Sequence, residues 1–135
     1  MADSLVGALS IAGAGLAAQS ARLRVVSENI ANADVTAQAP GGDPYQRKTV
    51  AFDANADNSG TSAATVGLDK RPFRLELDPG HPAADAAGYV KHSNVDMNME
   101  LADMREANRS YLANLQMIKQ TRDAISATLD LMRNS

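Results

Sequence analysis

The sequence predicts a mainly α protein with long N- and C-terminal helices of coiled-coil type, and with a small β-hairpin or extended region and loops between them. Two seven-residue repeats of apolar side chains, one at each end of the chain, predict the helices. The residues between them show strand-like alternation and clusters of turn residues instead. We therefore expect one domain, made of a helix over 1–33, a loop and β region over 34–93, and a second helix over 94–135.

The N-terminal repeat runs through a stretch that carries no charge from Ser4 to Ala21. Its alternating steps of four and three residues are typical of a helix that packs on another helix. We predict one helix of about 28 residues that ends near Asn32 and Asp34, because Asn tolerates the left-handed conformation found at helix ends. The large seam residues are Leu5, Leu9, Leu16, Leu23 and Ile30.

The C-terminal repeat keeps eleven seam positions in register from Met97 to Met132. It predicts a coiled-coil helix on the order of 55–60 Å long. Asn94 is the expected N-cap, with Asp96 in the first turn favouring the helix dipole. The seam and assembly residues predicted on this helix are Leu101, Met104, Tyr111, Leu115, Ile118, Ile125 and Leu129.

Two polar residues interrupt the C-terminal seam, Asn108 and Arg122. A seam that is partly solvated, with side chains that reach out to water, accounts for them in one interpretation. In the other interpretation they fix the register or the identity of the partner helix, as buried polar seam residues do in coiled coils. The sequence leaves both open.

The middle of the chain predicts a small hairpin or meander. Residues 45–52 and 73–77 alternate as strands, and 66–68 form a possible third strand. Residues 54–64, rich in Asn, Asp, Ser, Gly and Thr, are expected to form a mobile loop tip, and 39–44 a turn.

The composition predicts a thin core. Leu, Ile, Val and Phe together make up 26 of 135 residues, there are 25 alanines, and there is no Trp. Such a chain forms helices more easily than it buries apolar surface. We therefore expect the isolated chain to be only partly folded, with its terminal helices ordering on assembly.

Charge and cysteine content exclude several classes of function. The net charge of −3 provides no basic field for a phosphate backbone, so we expect no nucleic-acid partner. With no cysteine, disulfides, thiolate metal sites and cysteine nucleophiles are excluded. Only Asp3 is charged before the uncharged run, so the basic start of a secretory signal is missing, and the glycines make the run a poor membrane span.

One set of residues suggests enzymatic chemistry: His81, Asp85, His92 and Asp96, in two His-x-x-x-Asp spacings. Prolines and a glycine around the first pair argue against a helix there, so the spacing does not place its side chains on one face. We expect loop roles, with Asp85 in an Asx-turn or cap, and keep a metal-dependent hydrolase as a remote alternative. No catalytic, cofactor or small-molecule site is predicted.

Several segments resemble the bacterial flagellar rod and hook axial protein family. Residues 27–34 resemble its Asn-x-Ala-Asn motif, and 79–96 are similar to a signature of its short proximal-rod members. Residues 45–52 and 109–114 resemble its first strand and its C-terminal helix motif. Ser93 stands where the family usually has Pro, which puts the local geometry before the helix in doubt. The motif residues are Asn29, Ala31, Asn32, Asp85, Gly88, Tyr89, Val90, Asn94 and Asp96.

The resemblance implies that the N- and C-terminal helices pair into an antiparallel coiled coil. It also implies a structural subunit of the proximal rod of the flagellar basal body, which assembles helically into the drive shaft that transmits motor torque for motility. The implied partners are other rod proteins, the rod–membrane-ring adaptor, further copies of the chain and, during secretion, the flagellar type III export apparatus. The implied location is the rod in the periplasmic space, reached without a cleaved signal peptide. Another small axial or junction protein of the same appendage is the alternative.

Overall fold

The computed structural model describes residues 2–54 and 62–135. Within these residues the structure has a long helix at each end of the chain and four short strands between them in sequence order. This confirms the mainly α fold class. In chain order the elements are α1 (Ala2–Ala31), β1 (Lys48–Ala54), β2 (Ser62–Leu68), β3 (Arg74–Leu77), β4 (Tyr89–His92) and α2 (Met97–Arg133). The helices contain 30 and 37 residues.

Helix α1 ends where the sequence predicts. The backbone N–H of Asn32 donates to the carbonyl oxygen of Glu28 at 3.0 Å, and the Asn32 side-chain Nδ2 donates to the same oxygen at 2.8 Å. These bonds satisfy a carbonyl that the helix end would otherwise leave without a partner. Asn32 therefore closes the helix with its side chain as well as its backbone.

Helix α2 begins differently from the prediction. Its N-cap is Asp96, whose Oδ1 accepts a hydrogen bond from the N–H of Asn98 at 3.0 Å. The expected cap, Asn94, lies two residues earlier, and its carboxamide bonds to other parts of the chain. Ser93 does not cap the helix either: its Oγ accepts from the N–H of Val95 at 3.2 Å in a local turn, and the residue is buried.

The middle of the chain forms two two-stranded sheets, β1–β2 and β3–β4, which confirms the small β region predicted between the helices and divides it into two strand pairs. Strands β3 and β4 are antiparallel, with Arg74 opposite His92 and Leu77 opposite Tyr89. Strand β4 was not predicted, because its four residues follow a turn-rich segment and are too few to show an alternation of apolar and polar side chains. The predicted third strand is the end of β2.

The predicted loop tip at 54–64 falls largely on residues 55–61, which lie outside the described residues. Its two ends are not loop. Ala54 is the last residue of β1, and Ser62 is the first residue of β2.

The chain divides into two compact units. The first contains Met1–Leu23, Phe52–Thr65 and Arg105–Ser135, and the second contains Arg24–Ala51 and Val66–Met104. The first part of α1 thus shares a unit with the last part of α2, and the end of α1 shares a unit with the start of α2, which is the order of an antiparallel pair. The predicted division of the chain at 33/34 and 93/94 stays a prediction.

The first unit is packed through small side chains. Its buried residues within the described part of the chain are Ala12, Ala18, Ala107 and Thr121. Helices α1 and α2 approach closely at Gly15, where an added Cβ would lie 2.9 Å from both Nδ2 and Oδ1 of Asn114. A larger residue at this position would therefore require the Asn114 side chain to move.

Some residues of the predicted seam are half-buried in the structure and others are exposed. On α1 the five large seam residues from Leu5 to Ile30 are all half-buried. On α2 the row Met104, Tyr111, Ile118, Ile125 is half-buried, whereas Leu101, Leu115 and Leu129 are exposed. The row that accompanies Met104 on the inner face of α2 consists of Ala107, Asn114, Thr121 and Thr128, each one position earlier than expected. The prediction that the exposed leucines belong to a helix-packing seam stays a prediction.

Helix α1 keeps much of its apolar surface exposed. By length and composition alone, one helix of the described residues is apolar and long enough to cross a membrane, the segment Asp3–Ala31. Only 11% of its most apolar stretch is buried inside the molecule. An apolar helix that the molecule itself covers so little needs another surface.

The second unit has a core that is partly polar. Val25, Val26, Val90 and Val95 supply its apolar side. Buried polar side chains stand beside them, namely Asn29, Ser93, Asn94 and Glu100. Since buried polar groups need partners, their hydrogen bonds determine how this unit is built.

Candidate functional site

The centre of the second unit is Arg47, whose guanidinium lies among three carboxylates. Its Nε donates to Oε1 of Glu100, its Nη1 to Oδ2 of Asp69 at 3.2 Å, and its Nη2 lies 3.5 Å from Oδ2 of Asp103. The Glu100 side chain is fully buried, and 11% of the Arg47 side chain is exposed. Solvent screens such a pair weakly, so its loss leaves a buried charge that is costly.

Protonation states in this cluster follow from the same contacts. Burial lowers the pKa of Arg47, but the hydrogen bonds and charges of Glu100 and Asp69 outweigh it and raise the pKa above its ordinary value. The hydrogen bonds from Arg71 are the largest influence on Asp69; with that from Arg47 they lower its pKa to about 2. Both groups are charged at neutral pH, and Asp69 links two guanidinium groups.

Asn94, one of the two buried asparagines, ties three backbone segments together. Its Oδ1 accepts from the N–H of Arg47 at 2.8 Å. Its Nδ2 donates to the carbonyl oxygens of Asp69 and Arg71, both at 3.0 Å. The carboxamide is therefore committed to the turn at 69–71 and to Arg47, which is why it does not cap α2.

The other asparagine, Asn29, binds the next residue along the chain, Lys48, which is the first residue of β1. Its Nδ2 donates to the carbonyl oxygen of Lys48 and its Oδ1 accepts from the N–H of Lys48, both at 2.9 Å. The Tyr45 hydroxyl also donates to that Oδ1 at 2.7 Å. Asn29 thus pairs with the backbone as a neighbouring strand would, and it joins the end of α1 to β1.

An exposed ion pair flanks this contact. The Lys48 Nζ lies 2.9 Å from Oε2 of Glu28, one residue before Asn29. Their hydrogen bond lowers the pKa of Glu28 and raises that of Lys48. Because both side chains are open to solvent, we expect this pair to stabilise the unit only slightly.

The remaining motif residues shape the turn before β4. Oδ1 of Asp85 accepts from the N–H groups of Ala87 and Tyr89, both at 2.9 Å, as the predicted Asx-turn requires. Gly88 has a φ of 88°, and an added Cβ would lie 3.0 Å from Cγ of Pro79. Glycine alone fits that position comfortably, and the turn then carries the fully buried Val90 into the core. Ala31 is the last residue of α1 and is exposed.

The four residues of the hydrolase alternative do not form a constellation. Nδ1 of His81 accepts from the N–H of Ala83 at 3.0 Å, and Nε2 of His92 lies 3.1 Å from Oε2 of Glu76. Asp85 and Asp96 have the turn and cap roles described above. In the described residues no group of three or more potential ligands is placed to hold a metal ion.

The Arg47 cluster was not predicted, because the helix packing was predicted from apolar repeats and the cluster consists of charged residues. Glu100 lies four residues before Met104 and seven before Ala107, on the inner row of α2. A charged residue at a buried position of a helix requires a partner of opposite charge. The position of Glu100 in the helix repeat therefore could have predicted a buried ion pair. Which cation meets it depends on the tertiary structure, because Arg47 is 53 residues away.

The fold and this site define a structural protein: in the second unit a network of asparagine and ion-pair contacts joins the end of α1, the start of β1 and the start of α2. Two family models match the chain, "Flagella basal body rod protein" over residues 9–37 and "Flagellar basal body rod FlgEFG protein C-terminal" over 86–131.

Relatives match nearly the full length. The flagellar basal-body rod protein FlgC of Agrobacterium fabrum is 56% identical over 98% of this chain and 99% of its own. The proteins of the same name from Yersinia enterocolitica and Salmonella typhimurium are 41% and 40% identical, each over 95% of this chain and 98% of the relative. The chain belongs to the flagellar basal-body rod protein family, which is a family of structural subunits.

Proposed function

We propose that the chain is a subunit of the proximal rod of the bacterial flagellar basal body. In this proposal it assembles helically with other rod proteins into the drive shaft that transmits motor torque. The observation that carries the proposal is α1, which has 18 consecutive uncharged residues yet buries only 11% of its most apolar stretch. Such a helix is suited to a polymer in which neighbouring copies complete the core. The near full-length similarity to rod proteins supports it.

The second unit suits a part that must carry load. In this unit Asn29, near the end of α1, and Asn94, just before α2, hold the consecutive residues Lys48 and Arg47, and the Arg47–Glu100 pair joins this segment to α2. A network of hydrogen bonds and ion pairs in a low-dielectric interior is directional and stiff. Torque applied to one helix is therefore passed to the other through several bonds at once.

The partners of the chain belong to the same proposal. We expect contacts with other rod proteins, with the adaptor between rod and membrane ring, and with further copies of the chain. During secretion we expect the flagellar type III export apparatus to take the chain through the rod without a cleaved signal peptide, and to deliver it to the periplasmic space. Weak packing of the first unit by small side chains supports passage in an unfolded state.

Deletion of the gene in its own bacterium tests the function. We expect non-motile cells whose basal bodies lack a complete rod when they are isolated and imaged, with both defects restored by the unchanged gene. Normally assembled, motile flagella in the deletion strain would contradict a rod role. Complete rods without hooks would instead favour the junction-protein alternative.

A further inference from the structure

Helix α2 carries a second row of side chains that no other part of the described chain covers. In the first unit the row follows steps of four and three residues and is exposed throughout, and 61% of Leu112 and 46% of Leu115 are accessible. A groove of about 900 Å³ runs along it. The row consists of Asn108, Leu112, Leu115, Lys119, Arg122, Ser126 and Leu129.

Helix α1 carries a complementary row in the same unit. Val6, Ser10, Gly13, Ala17 and Ser20 follow the same alternation of four and three residues, and all but the half-buried Gly13 are exposed. An added Cβ at Gly13 would meet no heavy atom within 4 Å, in contrast to the crowded Gly15. Packing inside the molecule therefore does not explain the small size of Gly13.

Charge and size select the pairing of these rows. If two copies packed α2 against α2, Lys119 and Arg122 would face the same cations, which is unfavourable. If α1 packed against α1, two rows of small residues would meet and the exposed leucines would stay in water. If α1 packs against α2, large side chains enter the spaces above small ones, and the uncharged α1 row brings no cation toward Lys119 or Arg122.

We propose that the outer α2 row of one copy packs against the outer α1 row, Val6 to Ser20, of a second copy. The two surfaces differ, so the contact is heterologous, and its repetition produces an open helical array. The inference rests on the proposed function, because it names the surfaces through which rod subunits join. It also provides a role for the leucines that α1 of the same chain does not cover.

Cysteine crosslinking tests the pairing, since the chain has no cysteine of its own. Two differently tagged copies are expressed together in cells that lack the native gene. One copy carries Ser10→Cys, and the other carries Lys119→Cys, Arg122→Cys or Ser126→Cys. We expect a disulfide between unlike copies at one or two of the three α2 positions after mild oxidation of isolated basal bodies.

Matched controls lie on the opposite side of α2, at Met117→Cys and Ala124→Cys, both exposed positions. They should give no product with the Ser10→Cys copy. Motile cells with no crosslink on the outer row, or with crosslinks only on the opposite side, would overturn the pairing while leaving the rod function in place. If the unsubstituted chain fails to restore rods, the proposed function itself is wrong.

Substitution of Gly13 gives a second measurement. Gly13→Leu fills the α1 row where the isolated molecule has room, so the purified variant should keep or increase its helical circular dichroism while rods fail to form. Gly13→Ala, which adds one carbon, should leave cells motile. Normal rods in the Gly13→Leu strain would count against this row as an interface.

Discussion

Glu100 and Arg47 show how single residues control this fold. Glu100 is fully buried, its Oε1 binds Arg47, and its Oε2 has no hydrogen-bond partner among the described atoms. A buried carboxylate with one oxygen unpaired depends strongly on the cation that remains. The pair therefore determines whether α2 can bury the face that carries Glu100.

Removal of the cation tests that dependence. We expect Arg47→Leu to lower the free energy of unfolding by about 3–5 kcal/mol, because Glu100 is left charged and buried. Urea denaturation of the purified full-length protein measures it. Glu28→Gln is the control, since it breaks the exposed pair with Lys48 and should change stability far less. Equal losses in the two variants would contradict the buried-pair interpretation.

The lowered pKa of Asp69 predicts that the protein loses stability in acid. Its pKa is about 2 in the folded protein against an ordinary 3.8, so the folded state favours the ionised carboxyl. The stabilisation is complete above about pH 4 and is lost as the pH falls through about 2. We expect unfolding curves measured across this range to show a loss of stability that Asp69→Asn lacks. A variant with the same pH dependence as the unchanged protein would disprove the assignment.

Asp96 has the capping role that was predicted for Asn94, whereas Asn94 bonds to other parts of the chain, and substitution distinguishes the two residues. Asp96→Ser keeps a capping oxygen and should change stability little, whereas Asp96→Ala should cost about 1 kcal/mol. Asn94→Ser should be as harmful as Asn94→Ala, because serine cannot reach the three backbone groups that Asn94 binds. Thermal unfolding of the four variants measures this, and a mild Asn94→Ser phenotype would restore Asn94 as the cap.

At the scale of elements, the two helices meet through small residues and expose several large ones. This reverses the usual amphipathic arrangement, in which the largest apolar side chains face the nearest partner. The close approach at Gly15 leaves space for alanine and threonine but not for a leucine row. The leucines of α2 therefore remain on the flank of the contact.

The glycines of α1 should respond differently to alanine. Gly13→Ala is expected to stabilise the isolated protein by roughly 0.8–1 kcal/mol, because alanine favours the helix and the new Cβ meets open space. Gly15→Ala should gain less or lose stability, because the Asn114 side chain must move. Urea unfolding followed by circular dichroism compares them, and an equal gain at both positions would show that the Gly15 contact is unimportant.

On the scale of the whole molecule, the two units differ in how they are held. The second has ion pairs, two buried asparagines and valines, whereas the first has buried alanines and a threonine within its described part. Small side chains contribute little hydrophobic stabilisation each. Assembly is therefore expected to stabilise the first unit far more than the second.

Hydrogen exchange should reveal this difference. In the isolated protein we expect slow exchange for bonded amides within 24–51 and 66–104, and fast exchange along 2–23 and 105–133. In assembled rods the second set should become protected, because bound neighbours stabilise the folded state. A monomer at low concentration that is fully helical, cooperative and uniformly protected would refute the expectation.

Much of the architecture could be predicted from local patterns. Heptad repeats predict both helices to within a few residues, and Asn32 marks the end of α1 through chemistry carried by its own side chain. The turn role of Asp85 is local in the same way. Strand β4 and the partner of Glu100 could not be predicted, because each depends on residues distant in the sequence.

The sequence by itself therefore determined two long helices, a thin core of small residues and a chain in need of partners, since repeat spacing, composition and charge are properties of the chain alone. Only the tertiary structure decided that Asn94 holds Arg47, that Asp96 caps α2, and that Asn114 rather than Leu115 lies against α1. The physical reason is distance along the chain. A helix face is set by residues three and four apart, whereas a buried carboxamide or guanidinium takes whichever partner the folded backbone brings within about 3 Å.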